Sequence, residues 1–330
     1  MTVSEGDPGG GPTIEDVLAL ADRYKNWGRW GDSDELGTLN FVTSEMRARA
    51  AAEVTAGKVF SLALPFDSSG PQRPGGQRFN PIHLMFRDGG DFLSGAYEDY
   101  FYGGVDKHLR AADDMIIMPL QCGTQWDALA HIAHNGQIYN GYSSNEISSF
   151  GAKRNSIMAM KDQLFGRGVL LDVARAKGER WLEPGTGISS SDLDAACETQ
   201  GVVVGEGDFV FVRTGQVGSV KAEGAWGDYA GGPAPGLNLD SLEWLWRKKI
   251  AAIVTDTWGF EVRPNETPEV FQPLHIVAVV YMGLTIGEMF DLEELAEDCA
   301  VDGRYSFLFS GAPLTISGAV GSPVNPLAIK

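Results

Sequence analysis

The sequence is short of several things, and each shortage excludes something. It has three cysteines, Cys122, Cys197 and Cys299, widely spaced and without a CxxC pair. An odd, scattered set argues against a disulfide framework and fits a reducing compartment. Positive charge is scarce as well: 26 Lys and Arg face 44 Asp and Glu, a formal net charge of −18. A field of that sign repels polyanions, so neither nucleic acid nor an anionic membrane surface is an expected partner. No apolar run approaches the roughly 20 residues needed to cross a bilayer. The opening "MTVSEGDPGGGPT" has no basic n-region and no apolar h-region, so the expectation is a soluble, cytoplasmic protein without a secretory signal. The GxSxG elbow, Walker A, HExxH and a helix-opening GxGxxG are all missing. Chemistry must therefore come from five histidines, the carboxylates and their placement.

What is present suffices for a sizeable core: 330 residues, 43% of them hydrophobic. Residues 1–13 read as a disordered lead-in and 14–330 as a single domain, with no internal repeat and no clear linker. "TIEDVLALADRYKNW" has helical spacing with Thr13 as its cap. Strands are expected in "KVFSLALPFD", "DDMIIMPLQ", "GRGVLLDVA", "GDFVFVRTG", "IAAIVTDTW" and "RYSFLFSGAPLTI", and helices over 190–200, 239–248, 274–282 and 291–297. Within the second of these strands, "MIIMPL" reads as buried. Interleaving without strict βαβ alternation indicates an α/β domain with a mixed sheet. Residues 68–110 are rich in Gly, Pro, Arg and aromatics and read as a long functional loop or interface arm.

Two stretches concentrate polar chemistry. In "QCGTQWDALAH", Gly123 and Thr124 break a strand, and polar groups at Gln121, Gln125, Asp127 and His131 can converge on one side of the bend. Asp127 offers a hard anionic oxygen suited to Zn2+, Mn2+ or Mg2+; equally, it could cap a helix starting at Ala128 while His131 packs one turn on. In "PLHIVAVVYMGLTIGEMFDLEEL", His275 opens an apolar helix that Gly283 stops, and Glu288 lies within a strand-like run. A carboxylate in apolar sequence is costly unless paired or metal-bound, or else it faces solvent on an edge. His83, His108 and His134 have no patterned partners. Cys122 as a nucleophile beside His131 is disfavoured, because neighbours in extended chain point to opposite faces and free Cys is commonly a small buried hydrophobe.

These pieces resemble the cyclase family of metal-dependent hydrolases, which includes kynurenine formamidase and isatin hydrolase. The family's His-x-Gly-Thr-His-x-Asp-x-x-x-His aligns with Gln121-x-Gly123-Thr124-Gln125-x-Asp127-x-x-x-His131. "RGVLLDV", "VFVRTG", "IVTDTWG", His275, Glu288 and "GSPVNPLAI" follow in the same order, and "NWGRWGDSDELGTLNFVT" precedes them. The resemblance implies a swivelling β/β/α fold, a homo-oligomer (dimer or tetramer) and a small-molecule substrate. It further implies hydrolysis of an amide or ester bond in a cyclic or formyl compound, a lyase or ring-closing reaction being the alternative on the same scaffold. Asp127, His275 and Glu288 are the implied metal ligands, and His131 the implied general acid/base. Two family histidines are glutamines here, and an amide oxygen is a harder, weaker ligand than imidazole. One divalent ion, Mn2+ or Zn2+, is therefore expected, with Gln121 or Gln125 assisting. A non-catalytic binding protein with a degenerate metal site is the rival. Trp126, Trp258, Phe41 and Arg87 are candidates for substrate contact, the aromatics as pocket walls and Arg87, with Arg73 and Arg78 of the same 68–110 region, as a carboxylate clamp.

Overall fold

A computed structural model describes residues 11–330, so most of the expected lead-in lies outside the described residues. The first helix, Ile14–Arg23, starts where its capping chemistry says. Thr13 Oγ1 accepts from Asp16 N at 3.3 Å, and Asp16 reaches back to Thr13 N at 2.9 Å.

Nine strands form one mixed sheet. In chain order they are β1 (Val59–Ser61), β2 (Gln125–Asp127), β3 (Phe165–Asp172), β4 (Phe209–Arg213), β5 (Ala252–Thr255), β6 (Thr285–Glu288), β7 (Ser306–Ser310), β8 (Gly321–Pro323) and β9 (Leu327–Ile329). Their spatial order is β1-β9-β7-β3-β4-β5-β6-β2-β8. The central four, β3 to β6, run parallel, and the flanking pairs are antiparallel. Parallel strands are covered on both faces, which is why β4 and β5 read as unbroken apolar runs, "FVFV" and "AIV", with every residue buried. The mixed α/β sheet expected from the sequence is present. Among the described residues, no helix is long and apolar enough to cross a membrane.

The helices expected over 190–200, 239–248 and 291–297 appear as Ser190–Gln200, Ser241–Lys248 and Glu293–Asp302. The fourth begins at Pro273–His275 and continues as a π-helical stretch, Ile276–Met282, ended by Gly283. π-helical geometry is frequent beside functional sites.

One expectation fails. "MIIMPL" does not enter the sheet as a buried strand. Asp114–Ile117 instead pairs with Ile82–Met85 in a separate hairpin, and Ile116 and Ile117 are 48% and 46% exposed. The apolar residues are there, but among the described residues no third strand joins this two-stranded arm, and they stay half-exposed. The 68–110 region, read as a long irregular loop, holds the first strand of that hairpin and two short helices, Gly89–Ser94 and Ala96–Tyr102.

Candidate metal centre

β2 lies between β6 and β8, and its register assembles the centre. Gln125 is directly opposite Glu288 and Pro323, while Asp127 is opposite Ile286 and Gly321. Directly opposed residues share a face and successive residues alternate. Gln125, Asp127 and Glu288 therefore project together, and Trp126 projects the other way. The bare face of Gly321 makes room on the same side for Gln121: a Cβ there would lie 2.5 Å from Gln121 Nε2.

His275 comes in from the helix that precedes β6. One oxygen from each of Asp127 and Glu288 and one nitrogen of His275 lie within 4.8 Å of one another, and all three residues are buried. Gln125 Nε2 donates to Asp127 Oδ1 at 3.2 Å and to Glu288 Oε2 at 3.1 Å. Its own Oε1 is buried without a partner, as is Nε2 of Gln121. Glu288 Oε1 also accepts from Phe260 N at 3.2 Å. His131 stands at the rim, one-fifth exposed, with Nε2 3.9 Å from Asp127 Oδ1. Asp127 ends a strand and caps no helix, which removes the capping alternative.

A residue that the sequence reading passed over holds this group in place. Glu261 Oε1 accepts from His275 Nδ1 at 2.5 Å and from the His275 backbone N–H at 2.9 Å. With Nδ1 engaged, Nε2 is the nitrogen turned toward Glu288 Oε1, 3.1 Å away. A carboxylate behind the imidazole is the usual device for fixing the tautomer and raising the basicity of a ligand histidine. The signal was available: Glu261 sits in "GFEVRP" between Phe260 and Val262, a carboxylate in apolar company like Glu288.

The electrostatics demand positive charge. Burial pushes the Asp127 carboxyl up to about 6, countered by His131 and reinforced by Glu288. Burial alone would lower the pKa of His275, but Glu261 and Glu288 outweigh it and hold the imidazole up at about 10. Buried carboxylates are stable only when paired, hydrogen-bonded or metal-bound. Three carboxylates share one imidazole here, and an amide oxygen is left over. This donor set of carboxylate and amide oxygens with one imidazole nitrogen fits a divalent cation.

Other candidates are placed elsewhere. Trp126 is fully buried, its Nε1 donating to Gly311 O at 2.7 Å and its ring against Phe290 and Phe309. It belongs to the core and is no pocket wall, because strand parity turns it from the site. Phe41 packs edge-on to Trp30, with Arg29 over its ring, and no contact brings it to the triad. Arg87 lies in the hairpin arm, paired with Asp113 and 4.6 Å over Phe101, away from the centre. Cys122 is buried, and burial pushes its thiol up to about 11, which suits no nucleophile. Trp258 does line a pocket beside the triad.

The carboxyl ends of the parallel strands carry further buried polar groups as scaffold. Arg213 ties Asp172 at 2.9 Å to Glu293 at 2.8 Å. Asp256 accepts from Thr214 N and Gly215 N at 2.8 and 2.7 Å, anchoring the loop that presents Trp258 and Gly259.

The family model described as "Putative cyclase" matches residues 60–262. The chain belongs to the Cyclase family. A solved structure described as a novel cyclase is 38% identical, covering 93% of this chain and all of that one, with a TM-score of 0.85. This cyclase-family protein also shares its fold with isatin hydrolase A from Ralstonia solanacearum, at 17% identity, 98% and 100% coverage and a TM-score of 0.60. Isatin hydrolase A from Labrenzia aggregata gives 19%, 84% and 94%, and 0.56. No functionally curated protein matches this chain.

Proposed function

We propose that this cyclase-family protein is a metal-dependent hydrolase of a small cyclic or formyl compound, cleaving an amide or ester bond with one divalent ion, Mn2+ or Zn2+. The observation that carries the reading is the buried convergence of Asp127, His275 and Glu288 within 4.8 Å. These three residues would hold the ion, and the Gln125 amide, which touches both carboxylates through Nε2 and has a buried, unpartnered Oε1, would assist them. A carboxylate-rich set with amide help suits Mn2+ at least as well as Zn2+. When bound, a divalent ion supplies a Lewis acid that polarises a carbonyl oxygen and acidifies water.

The protein's own groups do the rest. Glu261 keeps Nδ1 of His275 occupied, so the ligand nitrogen stays aimed at the site. His131, at the rim, takes a proton from the attacking water and returns one to the leaving nitrogen or oxygen. Three structural neighbours are named isatin hydrolases, which supports a hydrolytic reaction. The reading includes assembly as a homo-oligomer, measured by size exclusion with light scattering.

The test is metal content by plasma mass spectrometry on protein purified without chelator, with Asp127→Asn alongside. About one Mn or Zn per chain, lost in the variant, is expected. No metal after reconstitution with Mn2+ and Zn2+ would sink the hydrolase reading and favour a binding protein.

A further inference from the structure

The pocket beside the triad is basic in a chain that is otherwise acidic. Its volume is about 330 Å³, and its lining includes Arg73, Arg78 and Arg263 with Trp258, Phe271 and Gln272. Gly259 joins it to the metal centre. A Cβ on Gly259 would lie 3.5 Å from Gln272 Nε2, 3.9 Å from Glu288 Oε1 and 3.9 Å from His275 Cε1. With hydrogen at that position, pocket and triad meet there.

The three guanidinium groups are differently occupied. Arg73, on the rim, pairs with Asp228 at 2.9 Å. Arg78 sits 5.1 Å from the Trp258 ring centre and donates to Gln121 O at 2.8 Å, but no carboxylate among the described residues pairs with it. Arg263 lies 5.7 Å from the Trp258 ring and 5.3 Å from Phe271, and its Nη1 is buried without a partner. Its acidic near neighbour, Glu261, has both oxygens engaged by His275, Leu274 and Asn265. Aromatic faces hold the guanidinium planes while leaving their N–H edges free. Crowding like charges and leaving a buried donor unpaired both cost free energy unless an anion completes the group. A carboxylate matches a guanidinium edge with two parallel hydrogen bonds.

We propose that this pocket is an anion subsite: the substrate is a ring-sized compound bearing a carboxylate, which Arg78 and Arg263 hold beside Asp127, His275 and Glu288. The position of the scissile bond rests on the hydrolase reading, whereas anion binding does not. A cavity of this size admits one aromatic ring with its carboxylate. Because the overall field of the chain repels anions, the local cluster of arginines is what would capture a small one.

The probes are benzoate and its neutral counterpart benzamide, titrated calorimetrically into the full-length protein as purified and again after chelation. Benzoate is expected to bind at least tenfold more tightly than benzamide in both preparations. Arg263→Gln is expected to weaken benzoate at least tenfold and leave benzamide unchanged. Arg78→Gln shifts benzoate in the same direction and serves if the first variant does not fold, as judged by circular dichroism. Equal affinity for the two probes, no benzoate binding, or unchanged benzoate affinity in a folded arginine variant overturns the subsite. So does a preference that disappears with chelation, since the carboxylate would then have been bound by a metal ion. A protein that prefers benzoate through these arginines yet holds no metal would sink the hydrolase reading and leave the subsite standing.

Discussion

The apolar stretch around β6, "LTIGEMF", and the hairpin of Ile82–Met85 and Asp114–Ile117 each contribute to a histidine–carboxylate pair. In and beside β6, every strand residue is buried and Glu288 faces His275 at 3.1 Å, both side chains 4% exposed. In the hairpin, His83 meets Asp114 at 2.7 Å with the two side chains 54% and 59% exposed. The same two chemical groups therefore do different work. In the open, water screens the pair and it contributes little. Under the sheet, the pair cannot be left uncompensated, so Glu261, Gln125 and the Phe260 backbone are drawn in to satisfy it. Burial turns a contact into a site.

Removing the imidazole at the rim of the buried centre and the one in the hairpin is the strongest way to break that comparison. His131→Ala is expected to keep its metal and lose turnover by roughly 10²–10⁴-fold, the usual contribution of a general acid–base group. His83→Ala is expected to change neither metal content nor turnover. Equal losses in the two variants, read by steady-state kinetics and metal analysis, would move chemistry into the arm and out of the triad. A smaller effect sharpens the buried half. Glu261→Gln leaves an amide in the same place, so the fold should persist while metal affinity or activity drops about 10–100-fold. Metal titration showing unchanged affinity and unchanged turnover would reduce Glu261 to a packing role.

The candidate ligands were legible in the sequence for chemical reasons. Glu288 in "LTIGEMF" is a carboxylate in apolar sequence, where burial demands a partner, and Asp127 stood out by its polar neighbours after the strand break at Gly123 and Thr124. The caps were legible for a similar reason, since Thr13 and Gly283 supply what helix ends lack. Facing was harder to read. Trp126 lies between Gln125 and Asp127 in sequence and looked like a pocket wall, but the β2–β6 register turns it to the opposite face. Cover was harder still. "DMII" has the composition of a core strand, and only the fold shows that the described residues leave it largely exposed. Arg263 and Arg78 are remote in sequence, and only the fold places both against Trp258.

Cover can also be weighed as stability. Ile253 in β5 is completely buried between β4 and β6, whereas Ile116 in the hairpin is 48% exposed. Truncating Ile253 to Ala removes buried methyl groups and leaves a cavity in a sheet that cannot collapse to fill it, an expected loss of about 2–5 kcal/mol. Truncating Ile116 to Ala removes surface that water already reaches, and the expected change is within about 0.5 kcal/mol. Denaturant melts of the two variants at micromolar protein give both numbers in one experiment. If Ile116→Ala costs as much as Ile253→Ala, the arm is covered in solution by something other than this chain's own described residues. The cost should then fall on dilution, because cover supplied by association obeys mass action while cover supplied by the sheet does not.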